Sequence, residues 1–357
     1  MQIDPIPSRS HERVLRCTDP ASGLVAFIAI HDTTLGPALG GCRMWRYDTE
    51  QAALADVLRL SEGMTAKAAL AGLPFGGGKA VILGDPRSEK TEARLQAFGR
   101  FLATLEGAYV TAEDVGMTPR DMAVIARESP HVVGRAEGRF AAGDPSPVTA
   151  EMVARCMEAA ARAHLGADGL GGLRVAVQGL GHVGLPLAGR LARAGAHLVA
   201  ADPDPDATRA AADLGARIGA PEAILETEAD ILAPCALGGV LDADTIPRLR
   251  ARLVCGSANN QLDTAGDAGR LHARGILYCP DFVVNSGGLI AVAREALRIA
   301  EAGWVETRIG AAVETFARLI DRAARSGRPP VEVADAMVAE ILRQRQAGPA
   351  ATDAAGV

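Results

Sequence analysis

The chain has 357 residues, more than one hydrophobic core usually spans, so two domains are expected. Hydrophobic residues make up 48% and charged ones 22%, a globular composition, and the net charge of -6 lacks the basic excess that nucleic acid or anionic lipid would attract. Aromatics are only 3%, so aliphatic side chains and alanine must fill the cores.

The first residues, Met-Gln-Ile-Asp-Pro-Ile-Pro-Ser-Arg-Ser, contain no apolar signal core, and no apolar run approaches the roughly 18 residues of a membrane span. A cytoplasmic protein without membrane or nucleic-acid partners is expected. Cys17, Cys42, Cys156, Cys235, Cys255 and Cys279 form no C-x-x-C pair and read as buried, reduced thiols. The histidines form no H-x-H or H-E-x-x-H pair, so no metal site is expected.

In chain order, Leu24 to Ile30 has the length and composition of a buried strand. Asp48 can cap a helix carrying Leu54, Val57, Leu58 and Ser61 on one face, with Gln51 completing the exchange and Gly63 at its end. Next comes Met64-Thr-Ala-Lys67-Ala-Ala-Leu-Ala-Gly-Leu-Pro-Phe-Gly-Gly-Gly-Lys79, two lysines among small and apolar neighbours with no carboxylate between them. A lysine held there loses hydration, which favours its neutral, basic form. The alternative is an ordinary helix-face cation at Lys67 and a strand start at Lys79, with the glycines forming a turn. Leu95, Phe98, Leu102 and Leu105 mark another helix, stopping at Gly107. Thr118-Pro-Arg-Asp121 supplies an N-cap, a first-turn proline and a carboxylate for a third.

A Gly- and Pro-rich stretch from Gly134 to Pro147 suggests a boundary. Beyond it, strands at Arg174–Gln178, Ala196–Ala201, Asp230–Ala233, Arg252–Cys255 and Gly275–Tyr278 alternate with helices such as Gly184–Ala194 and Asp267–Arg274, the rhythm of a parallel, doubly wound sheet. After Ser286 an Ala-rich tract reads as one long helix towards Arg322. Ser326-Gly-Arg-Pro-Pro330 breaks it, and a last helix over about 331–346 can return to the first domain. The domains expected are residues 1–140 plus about 328–357, and residues 141–327; residues 347–357 read as frayed.

Gly179-Leu180-Gly181-His182-Val183-Gly184 matches G-x-G-x-x-G between a strand and a helix. The first glycine permits a tight turn, the second lets a pyrophosphate approach, and the third lets helix and strand pack closely. Asp202 ends the next strand, where an acid binds the adenosine ribose hydroxyls; a carboxylate there repels a 2′-phosphate, so NAD is favoured over NADP. Pro203, Asp204, Pro205 and Asp206 beside it leave the ribose ligand less defined than the glycine loop.

Several further segments share one order: Leu35-Gly-Pro-Ala-Leu39-Gly40-Gly-Cys-Arg43-Met-Trp45, Met64-Thr-Ala-Lys67, Gly76-Gly-Gly-Lys79, Thr111-Ala112-Glu-Asp114-Val-Gly116, Gly143-Asp-Pro-Ser146-Pro-Val-Thr149, Gly256-Ser-Ala-Asn259-Asn260-Gln261 and Pro280-Asp-Phe-Val-Val-Asn-Ser-Gly-Gly288. In that order they resemble the glutamate, leucine, phenylalanine and valine dehydrogenases, and the chain's length resembles the leucine/phenylalanine/valine branch. The resemblance implies an α/β fold of two domains, an N-terminal catalytic and oligomerisation domain and a Rossmann-type NAD-binding domain, with a cleft between them, in a homo-oligomer. It implies reversible oxidative deamination of an L-amino acid to a 2-oxo acid and ammonia. By the same resemblance Lys67 pairs with the substrate carboxylate, Lys79 is the general base, and Asp114 exchanges protons nearby and binds the amino group. Arg43, Ser146, Thr149, Ala236, Leu237, Asn259 and Asn260 match cofactor-lining positions, with Thr149 also placed to cap the helix that follows. Leu39, Gly40, Ala112, Leu289 and Val292 match the side-chain pocket; all are apolar, which argues against glutamate. Met64-Thr-Ala-Lys67 departs from the leucine pattern, in which an aromatic commonly precedes the lysine. Leucine or valine is placed ahead of phenylalanine. A tryptophan-preferring or amine-condensing relative, or a catalytically silent NAD sensor, stays open.

Overall fold

The computed structural model describes residues 1–138 and 140–348; of the stretch read as frayed, 349–357 lie outside the described residues. The chain forms two compact units. Residues 1–144 group with 289–305 and the described residues from Val338 on, and residues 145–288 group with 306–337.

The first unit contains β1 (Gln2–Pro5), β2 (Arg13–Asp19), β3 (Leu24–Asp32), β4 (Ala38–Trp45), α1 (Glu50–Leu70), β5 (Gly76–Leu83), α2 (Glu92–Ala103), β6 (Tyr109–Glu113) and α3 (Pro119–Ile125). Its strands form one mixed sheet in the order β1-β2-β3-β5-β4-β6, with β4 parallel to both β5 and β6. Alternation of side chains across the pleat splits this sheet into two faces. Ile28, Cys42, Ala80 and Ile82 join Phe98, Phe101 and Leu102 of α2 in the larger core. Phe27, Ala29 and Val81 point the other way and pack with Ala53 and Val57 of α1.

Two local expectations are corrected, and one alternative reading falls with them. Thr49, not Asp48, caps α1, accepting a hydrogen bond from the Ala52 N–H. The helix does not stop at Gly63 but runs on to Leu70, so Met64-Thr-Ala-Lys67 is helical; the space where a Gly63 side chain would sit is open, and glycine there merely weakens the helix. Gly76, Gly77 and Gly78 form no turn. They lie in β5, because a Cβ on Gly77 would stand 2.2 Å from the Thr65 nitrogen and one on Gly78 2.7 Å from the Tyr109 ring. The capping box of Thr118 and Asp121 on α3 forms as expected.

The second unit opens with α4 (Ser146–Ala160) and continues through β7 (Arg174–Gln178), α5 (Gly184–Arg193), β8 (His197–Ala201), α6 (Pro205–Asp213), β9 (Arg217–Ile218), β10 (Ile231–Pro234), β11 (Leu253–Val254), α7 (Gly266–Ala273), β12 (Leu277–Tyr278) and α8 (Asp281–Val284). All its strand pairs are parallel, in the order β12-β11-β10-β7-β8-β9. This is the doubly wound sheet expected, with its switch point between β7 and β10, where ligands bind in such sheets. The Ala-rich tract after Ser286 is not one helix but two, α9 (Gly287–Ala296) and α10 (Trp304–Ser326), interrupted where Arg298 takes a left-handed φ of 55°. The chain's last described helix is α11 (Pro330–Gln346). No helix among the described residues is long and apolar enough to cross a membrane, and no cluster of three or more His, Cys, Asp or Glu among them could hold a metal ion.

Candidate active site

In the first unit, the sheet brings together residues far apart in sequence. Lys79, on β5, is buried at 6% exposure, and its Nζ lies 2.8 Å from Oδ2 of Asp114, the residue that follows β6. The same oxygen accepts a hydrogen bond from Nε of Arg43 on β4 at 3.1 Å. Gly41 makes this convergence possible: a Cβ there would stand 2.8 Å from Cβ of Asp114 and 3.3 Å from Nζ of Lys79. Burial alone would push the Asp114 carboxyl up, but the charges of Lys79 and Arg43 outweigh it and hold it at about 2. Asp114 is therefore a carboxylate throughout the physiological range.

The surroundings fix the geometry. Tyr109 Oη donates to the Gly40 carbonyl at 2.9 Å, and a Gly40 side chain would collide with the Gly78 carbonyl at 1.9 Å and approach Met64. Thr65 of α1 presses against Gly77, and Lys67 follows in the last turn of that helix, half-buried. Ala112 pairs with Gly41 in the β4–β6 register, while Leu39, Leu289 and Val292 are buried in the same unit. Arg43, matched to the cofactor's side of the cleft by resemblance, spends its guanidinium on Asp114 and, through Nη1 at 2.9 Å, on Asp56 of α1. Sequence reasoning missed Gly41, Asp56 and Tyr47. Gly41 stands inside a recognised motif and was within reach; the other two are tied to the site through contacts 13 and 9 positions apart that join a strand, a loop and a helix.

In the second unit, the three glycines of the β7–α5 turn occupy three different steric situations. Gly179 has φ of 90°, and its Cβ would meet Ala236 at 2.8 Å. A Cβ on Gly184 would stand 2.0 Å from the Gly179 carbonyl oxygen, so α5 can sit this close to the turn only without a side chain. At Gly181, by contrast, a Cβ meets nothing within 4 Å. Leu180 is buried, His182 and Gly181 face solvent, and α5 begins after Val183 with no side-chain cap. A helix start of this kind suits an anion such as a pyrophosphate. Asp202 directly follows β8, one residue past the strand end expected, with Oδ2 accepting from the Leu180 N–H at 2.7 Å and Oδ1 from the Asp204 N–H at 2.8 Å, and Pro203 beside it is exposed. Each carboxylate oxygen keeps a second lone pair for a hydroxyl.

The remaining predicted contacts of this unit lie in the loops after β10 and β11 and at the start of α4. Asn259 Oδ1 accepts from Asn285 Nδ2 at 2.7 Å, Asn260 takes a left-handed φ of 51°, and Leu237 projects into solvent at 79% exposure. Ser146 is the first residue of α4. Thr149 does not cap that helix: Pro145 occupies the cap, and Thr149 lies inside the first turns, donating its hydroxyl to the Pro145 carbonyl at 3.1 Å. Two buried acceptors, Oε1 of Gln178 and Oδ1 of Asn285, have no hydrogen-bond partner among the described residues. Neither was singled out from sequence, and both suit an edge that awaits a polar ligand.

A parallel sheet with a glycine turn at its switch point stands in one chain with an ion-paired lysine and aspartate, an arrangement that suits a nucleotide-binding enzyme. The model for the Glu/Leu/Phe/Val dehydrogenase dimerisation domain matches residues 11–131, and that for glutamate/leucine/phenylalanine/valine dehydrogenase matches residues 206–347. Leucine dehydrogenase of Bacillus subtilis (strain 168) is 46% identical over 94% of this chain and 92% of its own, and valine dehydrogenase of Streptomyces virginiae 47% identical over 91% and 92%. The crystal structure of L-tryptophan dehydrogenase from Nostoc punctiforme superposes with a TM-score of 0.83 at 38% identity, covering 95% of this chain and 98% of that one. The chain belongs to the Glu/Leu/Phe/Val dehydrogenase family, oxidoreductases that act on CH–NH2 donors.

Proposed function

We propose that the protein catalyses the NAD-dependent, reversible oxidative deamination of an apolar L-amino acid, leucine or valine ahead of phenylalanine, to its 2-oxo acid and ammonia. The observation that carries this reading is the ion pair of buried Lys79 with half-buried Asp114, 2.8 Å apart on a floor cleared by Gly41. NAD, when bound, supplies the hydride acceptor. Gly179, Leu180, Gly181, His182, Val183 and Gly184 would hold its pyrophosphate, Asp202 and Pro203 its adenosine ribose, and Arg43, Ser146, Thr149, Ala236, Leu237, Asn259 and Asn260 the remainder; the open side of Gly181 and the unpartnered acceptors of Gln178 and Asn285 support this fit. The carboxylate at position 202 favours NAD over NADP.

Lys67 is assigned to the substrate carboxylate as a fixed charge. Lys79 takes the proton from the water that adds to the substrate imine, and the carbinolamine so formed releases ammonia. Asp114, held ionised, acts as an anion: it orients Lys79 and receives the substrate amino group. Leu39, Gly40, Ala112, Leu289 and Val292 are assigned to the side-chain pocket. They offer no cation to a second carboxylate, which disfavours glutamate. The match of residues 11–131 to a domain described as a dimerisation domain supports a homo-oligomer built through the first unit.

A panel of L-amino acids with NAD, followed by NADH absorbance, tests the reaction and ranks the substrates. Turnover fastest with leucine or valine is expected; tight NAD binding without turnover of any amino acid would turn the reading to a sensor, and a clear preference for tryptophan would reassign the pocket. Lys79→Ala should lower kcat by at least about a thousandfold while leaving the NAD dissociation constant nearly unchanged. Weakened NAD binding with catalysis preserved would overturn the assigned roles.

A further inference from the structure

We infer that Asp56 is a positioning residue for this reaction: together with Tyr47 it holds Arg43 in the orientation that lets Arg43 and Lys79 share one oxygen of Asp114. The inference rests on the assignment of Lys79 and Asp114 above. Arg43 is divided between two carboxylates, giving Nε to Asp114 Oδ2 at 3.1 Å and Nη1 to Asp56 Oδ2 at 2.9 Å. Asp56 is itself anchored. Its Oδ2 also accepts from Tyr47 Oη at 2.5 Å, and its Oδ1 pairs with Arg59 Nη2 at 2.9 Å, one helical turn along α1. Asp56 and Arg43 are 15% and 17% exposed, so neither is a freely moving surface charge.

The consequence follows from the shape of guanidinium. A planar fork prefers to close on one carboxylate with two parallel hydrogen bonds. While Asp56 holds Nη1, the plane of the guanidinium is fixed with Nε on Oδ2 of Asp114, the oxygen that also receives Lys79 Nζ. Without the Asp56 charge that plane is released, and the shared geometry at Oδ2 that orients Lys79 is lost. Asp56 touches neither Lys79 nor Asp114; its influence passes through Arg43. The rival role is a plain staple between α1 and the sheet, which would affect stability and not the chemical step.

Steady-state kinetics of Asp56→Asn, alone and combined with Arg43→Lys, separates the two. Asp56→Asn is expected to lower kcat, measured at saturating NAD, about tenfold, with the KM for the amino acid within about twofold of the parent. Tyr47→Phe should lower kcat about threefold, since it removes one hydrogen bond and no charge. In the Arg43→Lys background, Asp56→Asn should lower kcat no further, because the fork it restrains is gone. An unchanged kcat in Asp56→Asn, or the same loss with and without the Arg43 guanidinium, would overturn the inference. Should a melting curve show Asp56→Asn unfolded, Tyr47→Phe decides: parental kcat in that variant counts against the role. Full turnover in Lys79→Ala would sink the underlying site assignment whatever Asp56 does.

Discussion

The two halves of the candidate machinery are built from opposite materials. In the first unit the site is made of charge: Lys79 and Arg43 on strands, Asp114 just past one and Asp56 on a helix, each ion satisfied by the next. In the second it is made of space, since Gly179 and Gly184 admit backbone where no side chain would fit and Gly181 leaves a surface open. Glycine serves both, yet differently. Gly41 yields room to the Asp114 and Lys79 side chains as well as to the Glu113 carbonyl, whereas Gly184 yields it above all to a carbonyl oxygen. A charged site should therefore answer to pH and to the removal of partners, and a steric one to single methyl groups.

The largest effect expected from a single methyl group is at Gly184. In Gly184→Ala the new carbon would stand 2.0 Å from the Gly179 oxygen, and backbone cannot yield there without moving α5 off β7. Overpacking of this severity costs about 3 kcal/mol or more. Calorimetry should show a lower melting temperature that NAD no longer raises; a variant that melts like the parent and gains the same stabilisation from NAD would break the steric half of the comparison.

The same contrast explains what could be read from sequence. The glycine turn, Asp202 and the alternating strands of the second unit were legible because each signal is local: a strand, a turn and a helix start lie within a few residues of one another. Lys79 and Asp114 were legible through ordered motifs, but their pairing was supplied by the resemblance and not by spacing. Asp56 and Tyr47 were not legible at all, since the contacts that join them to Arg43 and to each other span 13 and 9 positions, between a strand, a loop and a helix, and no single periodicity announces them. Local misreadings have local causes. Asp48 and Thr49 are both competent caps, and only the backbone decides between them. Gly63 was read as a helix end, yet it is tolerated inside the helix, and Gly76–Gly78, a turn only in the alternative reading, clear space within a strand. The break between α9 and α10 was hidden because alanine and arginine suit a helix on either side of it.

Titration sharpens the charged half. The Asp114 carboxyl is lowered from an ordinary 3.8 to about 2, so its ion pairs stabilise the fold fully at pH values above the unfolded pKa and are lost as pH falls through the folded one. That shift corresponds to on the order of 2 kcal/mol. Urea midpoints measured from neutral pH down to about 2 should fall less steeply in Asp114→Asn than in the parent across the window from about 4 to 2. Parallel curves would mean that Lys79 and Arg43 do not hold this carboxyl, and the network would have to be redrawn.

At Gly181 the expected effect is smaller and confined to binding. A methyl group meets nothing within 4 Å, so Gly181→Ala should fold and melt like the parent, yet it stands where backbone must approach a pyrophosphate. A loss of about tenfold in NAD affinity, with kcat at saturating NAD retained, is expected. Unchanged affinity would place the pyrophosphate elsewhere than this turn.

The smallest effect has the opposite sign. Gly63 lies within α1 between the turn that carries Asp56 and the turn that carries Lys67, with nothing within 4 Å of a Cβ and no left-handed φ to preserve. Here glycine does neither job, neither clearing room for a side chain nor admitting backbone. Gly63→Ala removes conformational freedom from the unfolded chain and improves helix propensity, a gain of about 0.5 to 1 kcal/mol. A slightly higher urea midpoint with unaltered kcat is the expected result. A loss of activity at unchanged stability would instead mean that α1 must bend at this point to deliver Lys67, and glycine would then have a third use in this protein.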